Sequence, residues 1–313
     1  MTGFPGPTRM RRGPAMTDLV AKAASGQYIG ARSRQEDAVI VQFPQGDMPG
    51  VAVLSDGMGG HDDGDLAGRI LASEMFGEMY LAAARPDRRN ETPEEVFHAA
   101  LERTNARLKQ HIDAGYISVD TGGTLVCVTV EGRALRWMSV GDSPLYLYRD
   151  GRLQQLNQLH SMAIQLDLMV KTGAMEASVA AQHPHRHCLT SAVTGGEIPH
   201  VDCPGEALTL EPGDSIILAS DGLNVLSEAE IAQILKRNAH KDSMAMTRAL
   251  LDAVRTQKAP QQDNVTLVVI QLALVESSSL SGARIASQLA GLIRPLFPIR
   301  SQALRAVGRR TGP

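Results

Sequence analysis

Cysteine is scarce in this chain: Cys127, Cys188 and Cys203 are the three among 313 residues, and no two stand at a CxxC spacing. That excludes a disulfide framework and a four-cysteine zinc site, and it is the usage of a reducing, cytoplasmic compartment. Cys127 lies inside an apolar run and reads as a small core residue. Aromatic residues make up only 4% of the chain, so any core must be largely aliphatic. No apolar run approaches the roughly 20 residues of a membrane span. Excess charge is missing as well. Lys+Arg number 31 against Asp+Glu 34, a net charge of -3, which leaves no global electrostatic reason to bind nucleic acid. There is no GxxxxGK loop, and a GxGxxG fingerprint would need glycine at position 62, which is Asp62. What remains is a 43% hydrophobic chain that can bury a sizeable core, in one large domain or two.

What the sequence does hold is a set of carboxylates at the ends of apolar runs. Val51-Ala52-Val53-Leu54-Ser55 runs into Asp56, and Gly57-Met58-Gly59-Gly60-His61 follows. Such a short run reads as a strand stopping at Asp56, with glycines that let another group approach the backbone closely. Asp37 precedes Ala38 to Val41, Asp221 follows Ser215 to Ser220, and Asp263 precedes Asn264 to Ile270. Two of these acids finish a strand and two begin one. In antiparallel neighbours, whose opposed Cα atoms lie about 4.5–5.5 Å apart, all four can meet at one rim. Four anions so close would take up protons unless a cation sat among them. The donors offered are all oxygen, with no His or Cys beside them, which suits Mg²⁺ or Mn²⁺ better than zinc. One strand-end carboxylate is ordinarily a turn cap; their joint placement is what points to a divalent metal centre.

Along the chain, strands are expected over Gln27 to Ala31 and Ala38 to Phe43, then to Asp56. Leu66, Ile70, Leu71, Met75 and Met79 fall on one helical face. A second helix starts at Thr92, with Pro93 first and Glu95 completing a capping box, and Phe97, Leu101, Leu108 and Ile112 form its apolar stripe. Leu125 to Val130, Ala134 to Val140, Leu145 to Tyr148 and Leu153 to Leu156 read as an antiparallel meander. Asn157 to Pro184 reads as an insertion with a helix at Met162 to Thr172. Strands follow at His187 to Val193, Ala207 to Leu210 and Ser215 to Ser220. Helices are expected from Ser227, capped with Glu230, and over Met244 to Val254, before a last strand from Asp263 to Leu274. The domain expectation is a disordered lead over 1–25, a catalytic domain over 26–276 and a basic tail over 277–313. The tail has no acid but carries Arg284, Arg294, Arg300, Arg305, Arg309 and Arg310. With Leu280, Ile285, Leu289, Leu292 and Ile293 on one helical face, it can lie on an anionic membrane surface, although a loosely docked or disordered tail is the favoured reading.

Taken in order, Arg32-x-x-x-Glu36-Asp37, Ser55-Asp56-Gly57-Met58-Gly59-Gly60-His61, Thr121-Gly122-Gly123-Thr124, Val140-Gly141-Asp142-Ser143, Ser220-Asp221-Gly222 and Asp263-Asn264 resemble the motifs of the type-2C, metal-dependent protein phosphatases, in their bacterial form. The resemblance spans Gly26 to Leu274. It implies an α+β fold of two antiparallel sheets packed as a sandwich, with helices on both outer faces. It implies a serine/threonine phosphoprotein phosphatase that opposes a serine/threonine kinase, acting through metal-activated water at a binuclear Mn²⁺ or Mg²⁺ centre. Asp56 would bridge two ions, Asp221 and Asp263 would bind one, and the Gly57 carbonyl the other. Asp37 and Glu36 would act through metal-bound water, and Arg32 would hold the substrate phosphate. Two cations suit the task, because the slowest phosphate-monoester hydrolyses need rate enhancements near ~10²¹, well beyond the roughly 7–11 kcal/mol that positioning supplies.

Departures from the family pattern are Gln35 in place of Asn, Pro144 in place of Arg, and Met58 where eukaryotic relatives carry His. Asp120 stands one residue late for the acid of a third metal, which leaves that metal uncertain. Asp142 reads as a turn residue and His61 as structural. His183, His185 and His187 alternate in a polar segment that reads as a solvated loop. The alternative function is a catalytically inactive, phosphatase-like regulatory or binding module. The haloacid-dehalogenase class fails because it needs a paired Asp-x-Asp, and Leu54 precedes Ser55-Asp56 instead.

Overall fold

The computed structural model describes residues 19–44, 48–59, 63–84, 91–186 and 188–274. The strands are β1 (Leu19–Tyr28), β2 (Asp37–Gln42), β3 (Gly50–Met58), β4 (Gly122–Gly123), β5 (Leu125–Glu131), β6 (Ala134–Val140), β7 (Leu145–Arg149), β8 (Arg152–Gln155), β9 (Leu208–Thr209), β10 (Ser215–Ala219) and β11 (Val265–Leu274). The helices are α1 (Gly64–Ala84), α2 (Pro93–Asp113), α3 (Met162–Lys171), α4 (Ala177–Ala181), α5 (Glu228–Asn238) and α6 (Ser243–Gln257). One sheet runs β1-β11-β10-β7-β8 and the other β2-β3-β5-β6-β9, with β4 paired to β3, and every pairing is antiparallel.

The sheets face each other, and helices close both outer faces, so the molecule has three apolar interfaces. Along β3 the alternation divides the run between two of them. Val51 and Val53 pack outward with Leu71 and Met75 of α1 and Phe97 and Leu101 of α2. Ala52 and Leu54 pack inward with Leu218 of β10 and Val268 of β11. β11 does the same on its own side: Val268 and Ile270 face the other sheet, while Leu267 and Val269 meet Ile231 of α5 and Leu250 of α6. A strand covered on both faces needs apolar residues at successive positions, which is why these runs show no polar alternation.

Both expected capping boxes form. Thr92 Oγ1 accepts from the Glu95 N–H while Glu95 Oε2 accepts from the Thr92 N–H, and Ser227 and Glu230 repeat the pattern on α5. Each box satisfies two otherwise orphaned donors and stabilises its helix by about 1 kcal/mol.

Several expectations are corrected. β1 begins at Leu19 and pairs in register with β11 as far as Leu274, so residues 19–25 belong to the folded domain and not to a disordered lead. The strand also ends earlier, at Tyr28. The four strands over 125–155 are not one meander: β5–β6 and β7–β8 lie in different sheets, and the chain crosses between them at Gly141–Pro144. No strand forms over 188–193, where Leu189 and Val193 make only isolated bridges to Ser161 and Gly123. Leu66 is 41% exposed, and the first turn of α1 buries Ala67 in its place. The tail over 277–313, the residues before Leu19, His61 and His187 lie outside the described residues.

Candidate functional site

The strand register assembles the acids. Asp37 opens β2 and is the register partner of Asp56 on β3. In the other sheet Tyr28 pairs with Val265 and Ala219 with Leu267, which brings the loop after β1, the turn after β10 and the start of β11 to the same end. Asp221 begins a single 3-10 turn, Asp221–Val225, and Asp263 precedes β11. The sheets are stitched at this rim. Ser220 Oγ donates to Asp37 Oδ2 (2.8 Å), and Gln27 Nε2 donates to the Asp37 carbonyl (3.2 Å) and to Thr266 Oγ1 (3.0 Å).

The electrostatics follow from that crowding. Asp37 is 5% exposed, and burial pushes its carboxyl up to about 6, with Ser220 and Thr266 hydrogen bonds opposing and the charges of Asp221 and Asp263 adding. Asp56 is raised well above the ordinary carboxylate range, first by burial and then by Asp37, Asp221, Asp142 and Asp263. Burial also raises Glu36, against the pull of Arg32. Two carboxylates roughly 5 Å apart repel by about 3 kcal/mol at an effective dielectric near 20, several times thermal energy. Protonation or a cation must relieve the group.

Asp142 belongs to this cluster. It stands in the bend after β6, as expected, and burial and the charge of Asp221 push its carboxyl up to about 7. Asp120, the residue considered for a third acid, is exposed. The signal for Asp142 was available, since it too follows the buried end of a strand, β6. Its turn is held by His160, whose N–H donates to the Gly141 carbonyl (2.8 Å) and whose Nδ1 accepts from the Gly141 N–H (3.2 Å). Thr124 Oγ1 accepts from the Asp56 N–H (3.0 Å) and shares a hydrogen bond with Ser143 Oγ (2.7 Å), linking the backbones that carry Asp56 and Asp142.

Gly57 is required by close approach. A Cβ there would stand 2.0 Å from the Gly64 carbonyl oxygen and 2.7 Å from that of Glu36. The Gly57 N–H donates to the Glu36 carbonyl (3.2 Å), so α1, the end of β3 and Glu36 are packed backbone to backbone. Arg32 stands at the outer edge of the rim, its Nη2 on Asp263 Oδ2 (2.5 Å) with both side chains partly exposed.

The residues fit a hard divalent cation by two observations. Asp37 Oδ1 is buried and, among the described residues, has no hydrogen-bond partner. The neighbouring donors are anionic oxygens, the chemistry that Mg²⁺ and Mn²⁺ take. Among the described residues, no group of three or more Asp, Glu, His or Cys closes into a metal cage, so the carboxylates share an edge without converging on one point. Away from the rim, the His185 N–H donates to His183 Nδ1 (3.2 Å) in a surface turn, consistent with a solvated loop.

The profile of the Protein phosphatase 2C family matches residues 28–267. "Serine/threonine phosphatase stp" of Listeria innocua is 26% identical over 241 residues, covering 75% of this chain and 89% of that protein. The solved structure of the serine/threonine phosphatase PstP/Ppp of Mycobacterium tuberculosis is 26% identical with a TM-score of 0.64, covering 81% of this chain and 99% of that one. A PstP catalytic domain in complex with two manganese ions is 25% identical with a TM-score of 0.63, covering 82% and 99%. The chain belongs to the protein phosphatase 2C family, and its enzyme class is protein serine/threonine phosphatase.

Proposed function

We propose that the chain hydrolyses phosphoserine and phosphothreonine on proteins at a centre of two Mn²⁺ or Mg²⁺ ions, and so reverses the work of a serine/threonine kinase in the cytoplasm. The observation that carries this reading is the register pair Asp37–Asp56, with Asp221, Asp263 and Asp142 gathered on the same rim beneath Arg32. Asp56, Asp37, Asp221, Asp263 and the Gly57 carbonyl would hold the ions, which supply hydroxide at neutral pH and neutralise phosphoryl charge. The PstP complex with two manganese ions supports the ion count.

The chain's own part is to bind and orient. Arg32 reaches Asp263 through one nitrogen, and its remaining N–H donors can grip two phosphate oxygens at once. Glu36, raised by burial, orients the attacking water and exchanges a proton with it. No side-chain nucleophile is needed. Of the cysteines, Cys127 is buried in the core with its thiol pushed beyond the physiological range, and Cys203 is pushed up to about 12.

The test is turnover of p-nitrophenyl phosphate and a phosphothreonine peptide by the purified chain with Mn²⁺, stopped by EDTA and restored by added metal. Full activity after rigorous metal removal overturns the reading. No turnover under any metal returns the inactive-module alternative. Deleting residues 277–313 tests the tail separately: only surface binding predicts lost, salt-sensitive association with anionic vesicles.

A further inference from the structure

We propose that Asn264 is a positioning residue for Arg32 and Glu36, a single buried amide that clamps both stems of the loop presenting them to the substrate phosphate. The inference rests on Arg32 being the phosphate-binding residue.

The loop covers Ile29 to Glu36, between the end of β1 and the start of β2, and Arg32 lies at its middle. An eight-residue connection of this kind has no ladder of its own, so something else must fix where the guanidinium starts. Asn264 is 3% exposed, and its side chain serves this loop throughout. Nδ2 donates to the Ile29 carbonyl (2.8 Å) and to the Arg34 carbonyl (2.9 Å), while Oδ1 accepts from the Glu36 N–H (2.8 Å). One amide therefore joins the first residue of the loop, the residue two beyond Arg32, and the last residue.

The neighbours complete the seat. The Ala31 N–H donates to the Gln262 carbonyl (2.7 Å). Gly30 has φ +67°, and a Cβ there would stand 2.3 Å from the Asp263 carbonyl oxygen and 2.4 Å from that of Gln262. The loop thus lies flat on Gln262–Asn264, and the Arg32 side chain returns to Asp263 in the same segment. The site asks for two donors and one acceptor at one point, which is the inventory of a carboxamide. Serine cannot supply it, and a carboxylate would turn an oxygen toward two carbonyls.

A buried asparagine that only stabilised the fold would not act through one arginine. The test compares wild type, Asn264→Ala, Arg32→Ala and the double variant, all loaded with Mn²⁺. The readouts are the Kd of inorganic phosphate by calorimetry and KM against kcat for a phosphothreonine peptide. We expect Asn264→Ala to weaken phosphate binding and raise KM about tenfold, since ~1 Å of misplacement can cost up to about 10²-fold. In the Arg32→Ala background the same change should add less than about twofold, because coupled residues are not additive. Asn264→Asp, which keeps the shape but turns an oxygen toward the Ile29 and Arg34 carbonyls, should show the same pattern, and it decides the matter if Asn264→Ala fails to fold. Unchanged phosphate binding in Asn264→Ala, or an equal further loss when Arg32 is already Ala, overturns the proposal. Unchanged binding in Arg32→Ala overturns instead the phosphate role of Arg32, and the proposal falls with it.

Discussion

Asp37 and Asp56 face each other as register partners across β2 and β3, and the charge on Asp37 adds to burial in raising the proton affinity of Asp56. This pair sets the pH behaviour of the protein without metal. A carboxyl whose folded pKa lies above its unfolded value, about 3.9 for Asp, binds protons more tightly when folded. Stability is therefore greater with these groups protonated and falls as pH rises from about 4 through the folded values, about 6 for Asp37 and about 7 for Asp142. The capping acids Glu95 and Glu230 are shifted the other way, and their contribution is lost only at lower pH. In EDTA the melting temperature should be higher at pH 5 than at pH 7.5, with Mn²⁺ restoring the loss at pH 7.5. A flat or rising profile between those pH values would contradict the repulsive cluster.

Asp56→Asn removes the central charge and keeps the shape. Turnover should be abolished, and the metal-free protein should melt a few degrees higher at pH 7.5, since about 1 kcal/mol shifts Tm by roughly 2–4 °C in a domain of this size. Asp142→Asn should give a smaller gain at pH 7.5, and less again at pH 5, only about one unit above the unfolded value. Calorimetry at both pH values decides this, and near wild-type activity in Asp56→Asn would make the two-ion reading untenable.

Arg32 has a guanidinium fork that lysine cannot reproduce. Arg32→Ala should raise KM for a phosphothreonine peptide at least about tenfold, the scale of one charge-assisted hydrogen bond of roughly 1.5–3 kcal/mol. Arg32→Lys should recover only part. Steady-state kinetics with KM unchanged in both variants would place phosphate recognition elsewhere.

Two glycines, one packed against the start of α1 and one in its interior, make a contrasting pair. Gly57→Ala sets a methyl against two backbone carbonyls that cannot step aside, and should cost about 1–3 kcal/mol and most of the turnover. Gly77, inside α1, has nothing within 4 Å of an added Cβ among the described residues. Gly77→Ala should be neutral to stabilising by up to about 1 kcal/mol, from helix propensity alone. Denaturant unfolding of the two variants checks the contrast, and equal effects would mean that the Gly57 approach is looser than described.

The local chemistry of the chain was readable without coordinates. Thr92 with Glu95 and Ser227 with Glu230 announced their helix starts because a cap is a bond between residues three apart. The acids at Asp37, Asp56, Asp221 and Asp263 were recognisable because each interrupts the end of an apolar run. That antiparallel pairing could bring them to one rim followed from the pattern, and the register of Asp37 with Asp56 shows it for that pair.

The residues that were missed depend on distant partners. Residues 19–25 carry no strong strand pattern of their own, and belong to the fold because β11 offers them a ladder from the far end of the domain, Leu19 with Leu274 and Ser25 with Val268. The split of the expected meander depends on the crossing at Gly141–Pro144, where β7 pairs with β10 and not with β6. Asp142 looked like an ordinary turn residue and Asn264 like the first residue of a strand, because burial and hydrogen-bond partners come from segments far along the chain: Asp221 beside Asp142, and the carbonyls of Ile29 and Arg34 around Asn264. The sequence by itself determined which residues could be strands, caps and oxygen donors, since those properties reside in a residue and its near neighbours. Which strands became neighbours, and so which carboxylates share a rim and which amide holds the arginine loop, was decided only by tertiary packing, where two aliphatic sheets and their covering helices bury the most apolar surface together.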